Sequence, residues 1–280
     1  MKQFDISRFG ALLKWHLMSN HRQILNIFFA LTIGFFAMML FFTQVLDFQV
    51  LDDGPSTIRL YQMRLEMSMM TGLFCIFICV LVSAARIFRN MKSTSQRITF
   101  LMLPASNFEK WLVRFLHATL FTFLLACLAL VAADVVRMLI APLWDKPFMS
   151  GVALLLKDRN RVEVPVDSYK AFVFLFMMGS TLLISHATYI LGGALFRKSP
   201  FVLTTLVMFV LSVLVGQVLH DSQLMNEITL ADYNPQTGLY ISPWVWIAGT
   251  VNYLLALLFY WLSYKLFCRM QVINNKWLNL

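Results

Sequence analysis

Six long apolar runs constrain the fold of this chain more than any other feature. They lie at about residues 24–46, 67–88, 111–133, 171–196, 201–219 and 244–267. A helix that crosses a bilayer needs roughly 20 apolar residues, at about 1.5 Å of rise per residue. Hydrophobic residues make up 59% of the chain and charged residues only 13%, which excludes an ordinary soluble protein. The sequence therefore predicts an all-α membrane protein in which residues 1–280 form a single transmembrane domain.

The segment between the second and third runs, Arg86–Arg114, is strongly basic. It carries six Lys/Arg residues against one acid. Because Lys and Arg near the ends of spans are retained in the cytoplasm, we expect this loop on the inner side. With both termini inside, the inner and outer sides carry net charges of +13 and −4. The sequence thus predicts an N-in, C-in topology, with an outer loop at residues 134–170 in which 162–166 alternate like a short strand.

Topology also accounts for the net charge of +9, since the basic residues lie at the ends of the apolar runs and form no patch interleaved with aromatics. We therefore expect no nucleic-acid partner. The four cysteines lie in or beside apolar runs, and neither disulfides nor a metal site is predicted. The sequence has no nucleophile with a base, no metal-ligand motif and no G-x-x-x-x-G-K-[ST] loop. We expect no catalytic residue, no cofactor and no enzyme activity, so any use of ATP requires another chain.

Residues 1–22 precede the apolar runs and have the pattern of an amphipathic helix. The apolar positions on one helical face are Ile6, Phe9, Leu13 and Leu17. A helix of this kind lies along the membrane interface and contacts lipid with its apolar face. The alternative is a helix that packs on the rest of the protein. We expect the interfacial position.

The basic segment also contains the signals of a shaped turn. Pro104 is unfavourable inside a helix, because it lacks a backbone N–H. Ser106 and Glu109 have the S-x-x-E spacing of a capping box, which satisfies backbone N–H groups at the start of a helix. The sequence therefore predicts that a new helix begins here.

A stripe of small and hydroxyl residues runs along the fourth apolar run. Its members share one helical face at 100° per residue: Thr181, Ser185, Thr188 and Gly192. Such a stripe is either a polar lining for a translocated substrate or a seam where helices approach closely, and the seam is the commoner cause.

Ionisable residues occur at two further places in the runs. Asp134 and Arg137 are three positions apart near the outer end of the third run, where they form either a structural pair or a substrate or proton site. His186 points away from the stripe on the fourth run and is either a hydrogen-bonded structural histidine or a proton relay. The structural interpretation is favoured for both.

The layout of an amphipathic first helix, six spans, both termini inside and a shaped cytoplasmic elbow resembles the membrane subunit of an ABC-2 type exporter. More closely, Thr99–Arg114 (TFLMLPASNFEKWLVR) is similar to a stretch of small six-span permeases of the Bacteroidetes type. The resemblance implies that the elbow couples to a groove in an ABC ATPase subunit. The positions that match this coupling contact are Leu103, Pro104, Ala105, Ser106, Asn107, Glu109 and Lys110.

The resemblance further implies a permease of the bacterial cytoplasmic (inner) membrane that forms a homodimer or pairs with a similar permease. It would export a substrate with ATP hydrolysed by the separate subunit. Two other functions stay open. A secondary transporter would need ion-binding or proton-binding acids within its spans. A membrane assembly factor or membrane enzyme not linked to ATP is the third possibility.

Overall fold

The computed structural model describes residues 4–45, 55–88, 94–157, 168–221, 231–234 and 238–269. This part of the chain is mostly helical. Its helices are α1 (Ile6–Ser19), α2 (His21–Leu40), α3 (Pro55–Ala85), α4 (Thr94–Leu101), α5 (Asn107–Leu116), α6 (Thr122–Ile140), α7 (Gly151–Lys157), α8 (Ser168–Leu195), α9 (Pro200–Asp221) and α10 (Trp244–Arg269). Short π-helical segments follow α2, at Phe41–Val45, and join α5 to α6, at His117–Phe121.

Six helical segments in the described residues are long and apolar enough to cross a membrane, which confirms the prediction of a six-helix membrane protein. They are His21–Gln44, Ile58–Ala85, Asn107–Trp144, Ala171–Leu195, Pro200–Gln217 and Trp244–Arg269. We refer to them as spans 1 to 6.

Span 3 is much longer than the predicted 111–133, because α5, the π-helical segment, α6 and a 3-10 turn at Ala141–Trp144 are continuous. It has 38 residues. At about 1.5 Å per residue it extends about 57 Å, whereas the hydrocarbon layer is about 30 Å thick. The helix is therefore longer than the hydrocarbon layer is thick, and charged side chains lie toward both of its ends.

A two-stranded antiparallel hairpin precedes α10. Strand β1 (Ala231–Asn234) pairs with β2 (Gly238–Ile241), with Asn234 opposite Gly238. The all-α prediction did not include this hairpin. The strand predicted at 162–166 lies outside the described residues.

The chain packs as two compact units. The first contains the described residues of Met1–Phe9, Leu81–Ala118 and Pro165–Leu280. In it, α8 packs along α10, and α9 packs on α8. An apolar cluster at the level of α5 joins residues from the turn after α3 and from α4, α5, α8 and α10: Phe88, Phe100, Trp111, Ile190 and Phe267. This cluster anchors α4 and α5 on the ends of the spanning helices.

The second unit contains the described residues of Gly10–Val80 and Thr119–Val164. Here α2 packs on α6, and α7 contacts α6. The core is a buried cluster that includes Phe35, Met39, Met69, Ala126 and Leu130. Small residues of α6 allow α2 and α3 to approach it, so this unit is held together by packing within the apolar spans.

Candidate functional site

The elbow, which we define as residues 94–116, comprises α4, a turn and α5. Ser106 has an extended backbone and is the N-cap of α5. Its Oγ accepts the Glu109 backbone N–H at 3.2 Å, and Glu109 Oε2 accepts the Ser106 N–H at 2.8 Å. The predicted capping box is therefore confirmed. A cap of this type contributes about 1 kcal/mol to a helix start.

Glu109 also bonds to a distant part of the chain. Its Oε1 accepts the backbone N–H of Asp5 at 2.9 Å and the Nη2 of Arg8 at 3.1 Å. The Glu109 side chain is fully buried. One carboxylate thus accepts hydrogen bonds at the start of α5 and at the start of α1, where its charge also complements the positive ends of both helix dipoles.

The start of α1 is ordered by further local contacts. Asp5 Oδ1 accepts the Ser7 backbone N–H at 2.9 Å, and this hydrogen bond lowers the pKa of the exposed Asp5 carboxyl. The ring of Phe4 lies 6.1 Å from that of Phe108 in an edge-on arrangement. Polar and aromatic contacts together therefore attach the beginning of α1 to the elbow.

Arg114 fixes the other side of the elbow. Its Nη1 donates to the carbonyl oxygen of Ile87 at 3.1 Å, two residues beyond the end of α3. Its guanidinium carbon also lies 3.8 Å from the ring centroid of Phe100 in α4. Because the side chain is 4% exposed, this cation contacts protein groups on nearly all sides. Arg114 therefore joins the end of α3, α4 and α5 into one piece.

The predicted coupling residues form a contiguous segment with unequal exposure. Pro104 and Asn107 are exposed, Leu103, Ala105 and Ser106 are half-buried, and Glu109 and Lys110 are buried. Two apolar side chains that the prediction did not include are exposed beside them: Met102 (78%) and Phe108 (43%). The surface of the elbow is thus more apolar than the sequence motif indicates.

The predicted apolar face of α1 is divided in the structure. Ile6 is exposed, whereas Phe9, Leu13 and Leu17 are half-buried. The fully buried positions of this helix are Leu12 and His16. The helix itself is confirmed, and the face it buries is shifted by about one residue toward Leu12.

The stripe on α8 differs along its length. Its hydroxyl groups donate to carbonyls of their own helix: Thr181 to Met177 at 2.9 Å, Ser185 to Thr181 at 2.7 Å and Thr188 to Ser185 at 2.6 Å. At the other end, a Cβ on Gly192 would overlap Thr204 Oγ1 of α9. Gly192 therefore allows a close contact between α8 and α9, as expected of a packing seam.

Asp134 and Arg137 form a buried pair with N to O distance 2.8 Å. Asp134 also accepts the Ser150 hydroxyl at 2.7 Å and the backbone N–H groups of Gly151 and Val152 at 3.1 Å. Its carboxylate therefore caps the start of α7. Since both side chains are 2% exposed and engaged with neighbouring groups, the geometry favours the structural interpretation.

His186 is nine-tenths buried, and its Nδ1 lies 2.8 Å from the Tyr260 hydroxyl. The ring of Phe115 meets the imidazole edge-on at 5.9 Å between centroids. This contact links α8 to α10 beside the end of α5. Within the part of the chain that the structure describes, no carboxylate is hydrogen-bonded to His186, so the geometry favours a structural role.

No protein-family model, curated protein or solved structure matches the chain. The features of the chain that indicate a function are its six spans, the geometry of the elbow and the resemblance of Thr99–Arg114.

Proposed function

We propose that this chain is the membrane-spanning permease subunit of an ABC-2 type exporter, driven by ATP hydrolysis in a separate subunit. The observation that carries the proposal is the elbow at the start of span 3. It combines a short helix, a capped turn and a second helix that runs without interruption toward the membrane-crossing part of the chain. A contact on this elbow can therefore be transmitted to a spanning helix.

A coupling surface needs side chains that a partner can reach. Met102, Pro104, Asn107 and Phe108 are exposed and lie within one turn or two of the α5 start. They form a small, mainly apolar surface, and protein interfaces are centred on such groups.

A coupling surface must also stay rigid when the ATPase subunit moves against it. Glu109 and Arg114 supply this rigidity, because each is buried and bonded to a separate part of the chain. We therefore assign the buried residues Glu109, Lys110 and Arg114 to the support of the elbow and the exposed residues to the contact with the ATPase.

The remaining parts of the proposal follow from the resemblance and the charge distribution. The chain would lie in the bacterial inner membrane with both termini inside, as a homodimer or beside a similar permease. The substrate would cross between the two permeases. The alternative of a secondary transporter is less favoured, because Asp134, the acid of the candidate substrate or proton site, is engaged with Arg137 and with three donors around α7.

Photo-crosslinking in native membranes tests the proposal. A photoreactive amino acid replaces Met102, and a matched control replaces Leu143 at the other end of span 3; their exposures are 78% and 80%. We expect Met102 to crosslink to a nucleotide-binding subunit and Leu143 not to do so. The proposal would be overturned if the intact permease is recovered but no nucleotide-binding subunit crosslinks at Met102 or at Asn107 and none co-purifies.

A further inference from the structure

The first helix exposes a stripe of apolar and cationic side chains opposite its buried one. Phe9, Leu12, Leu13 and His16, at helical spacing i, i+3, i+4 and i+7, are buried or half-buried. The exposed stripe has the same spacing and comprises Ala11, Lys14, Trp15 and Met18. At 100° per residue the two stripes point about 160° apart, so α1 presents Trp15, Met18 and Lys14 on the side opposite its buried face.

The position of α1 relative to the membrane follows from its two ends. Its last residue is separated from span 1 only by Asn20, and its first turn is bonded to Glu109 in the first turn of span 3. Spans 1 and 2 are each long and apolar enough to cross the membrane. Two crossings return the chain to the face from which span 1 starts, so the six-span topology begins spans 1 and 3 on the same face. A helix with both ends at one face lies along that face.

The charge of this region is of one sign. Between Asp5 and Asp47 the sequence has no acidic residue, and its formal charges are Arg8, Lys14 and Arg22. Lys14 and Arg22 are exposed, whereas Arg8 is engaged with Glu109. Trp15 and Met18 are 42% and 63% exposed beside Lys14. An indole and a thioether next to cationic groups match the boundary between acyl chains and anionic headgroups.

We propose that the exposed stripe of α1 binds anionic phospholipid at this membrane face. Trp15 and Met18 insert at the level of the glycerol backbone, and Lys14 with Arg22 contacts the lipid phosphates. The inference does not depend on the proposed transport function, because it uses only the geometry and charge of the first 22 residues and the presence of spanning helices. Its chemical class of ligand is a diacyl lipid with net negative charge.

Lipid binding by the purified full-length chain tests this site. Delipidated protein is titrated with phosphatidylglycerol or phosphatidylcholine, and bound lipids are counted by native mass spectrometry. We expect the wild-type chain to bind phosphatidylglycerol more tightly than phosphatidylcholine. In the K14E/R22E variant the ratio of the two affinities should fall about tenfold, because cations near the surface attract anionic lipids. The matched control K146E/K157E changes two cations outside α1 and should keep the preference.

Two further variants separate charge from folding. K14R/R22K keeps both charges and should retain the wild-type preference. W15A/M18A should weaken the binding of both lipids without changing the ratio of their affinities. An unchanged preference in folded K14E/R22E would overturn the proposal. A second result would also overturn it: a protein that co-purifies from native membranes with the wild-type chain but not with K14E/R22E, while the lipid preference stays constant. That result would assign the stripe to a protein partner.

Discussion

Glu109 Oε1 accepts the backbone N–H of Asp5 at 2.9 Å, so a carboxylate in the elbow closes the start of a helix 104 positions earlier in the sequence. The same side chain caps its own helix through Ser106. Two helix starts therefore share one buried anion. This arrangement gives hydrogen-bond acceptors to backbone N–H groups at the starts of both helices, which would otherwise have none. It also makes the geometry of the start of α1 depend on that of α5.

Removal of this carboxylate should destabilise the chain more than removal of its charge. Glu109→Ala removes an acceptor from the N–H groups of Asp5 and Ser106 and from the guanidinium of Arg8, at a cost of about 2–4 kcal/mol. Glu109→Gln keeps one acceptor oxygen and should cost about 1–2 kcal/mol. Unfolding in detergent, followed by circular dichroism, measures both.

Asn107→Ala is the control for that series, because Asn107 is exposed in the same helical turn. Its effect should stay within about 0.5 kcal/mol. Wild-type stability in Glu109→Ala, or an equal loss in the Asn107 control, would contradict the role assigned to the carboxylate.

The contact of Arg114 with Phe100 predicts a measurable coupling between the two side chains. The guanidinium carbon lies 3.8 Å from the ring centroid. We expect Arg114→Lys and Phe100→Leu to be non-additive by about 0.5–2 kcal/mol, because lysine lacks the planar group that stacks on the ring. A double-mutant cycle in detergent measures this energy. Strict additivity of the two single changes would show that the ring and the cation do not interact.

Local patterns predicted the parts of the fold that depend on nearby residues. The six apolar runs correspond to six helical spans, and the S-x-x-E spacing at Ser106 corresponds to a capping box. The helix that contains the third apolar run is longer than the run itself, because the apolar pattern ends where charged residues begin while the helix continues to a 3-10 turn at Ala141–Trp144. Four-residue strands such as β1 are too short to show alternation.

Contacts between distant positions could not be predicted from the sequence. Nothing near Glu109 in the sequence indicates that Asp5 and Arg8 donate hydrogen bonds to it. Nothing near His186 indicates that its hydrogen-bond partner is Tyr260, 74 residues away. These partners are selected by the packing of whole helices. The exposure of Met102 and Phe108 is another such outcome, since an apolar residue beside an apolar run is equally consistent with the core.

The buried pair at the other end of span 3 predicts a strong asymmetry between single and double substitutions. Asp134→Asn leaves the cation of Arg137, 2% exposed, without its anion and should cost about 3–5 kcal/mol. Ser150→Ala removes a single hydrogen bond to Asp134 and should cost about 1 kcal/mol. Thermal unfolding in detergent measures the series.

The double variant Asp134→Leu/Arg137→Met removes both charges and should recover part of the stability lost in Asp134→Asn. Asp145→Asn, at an exposed carboxylate nearby, is the control and should be near neutral. A double variant less stable than Asp134→Asn would contradict the prediction that the unpaired cation dominates the cost.

The seam between α8 and α9 predicts that a single methyl group at Gly192 is harmful and that a change across the contact reduces the harm. A Cβ there would overlap Thr204 Oγ1 and lie 2.8 Å from its Cγ2, so Gly192→Ala should cost about 1–3 kcal/mol by overpacking. Thr204→Ala removes both atoms and should restore part of this stability in the double variant. Gly34→Ala is the matched control, because nothing lies within 4 Å of a Cβ at that spanning glycine. If the seam instead lined a substrate path with room to spare, Gly192→Ala would unfold at the wild-type temperature in detergent, as the control should.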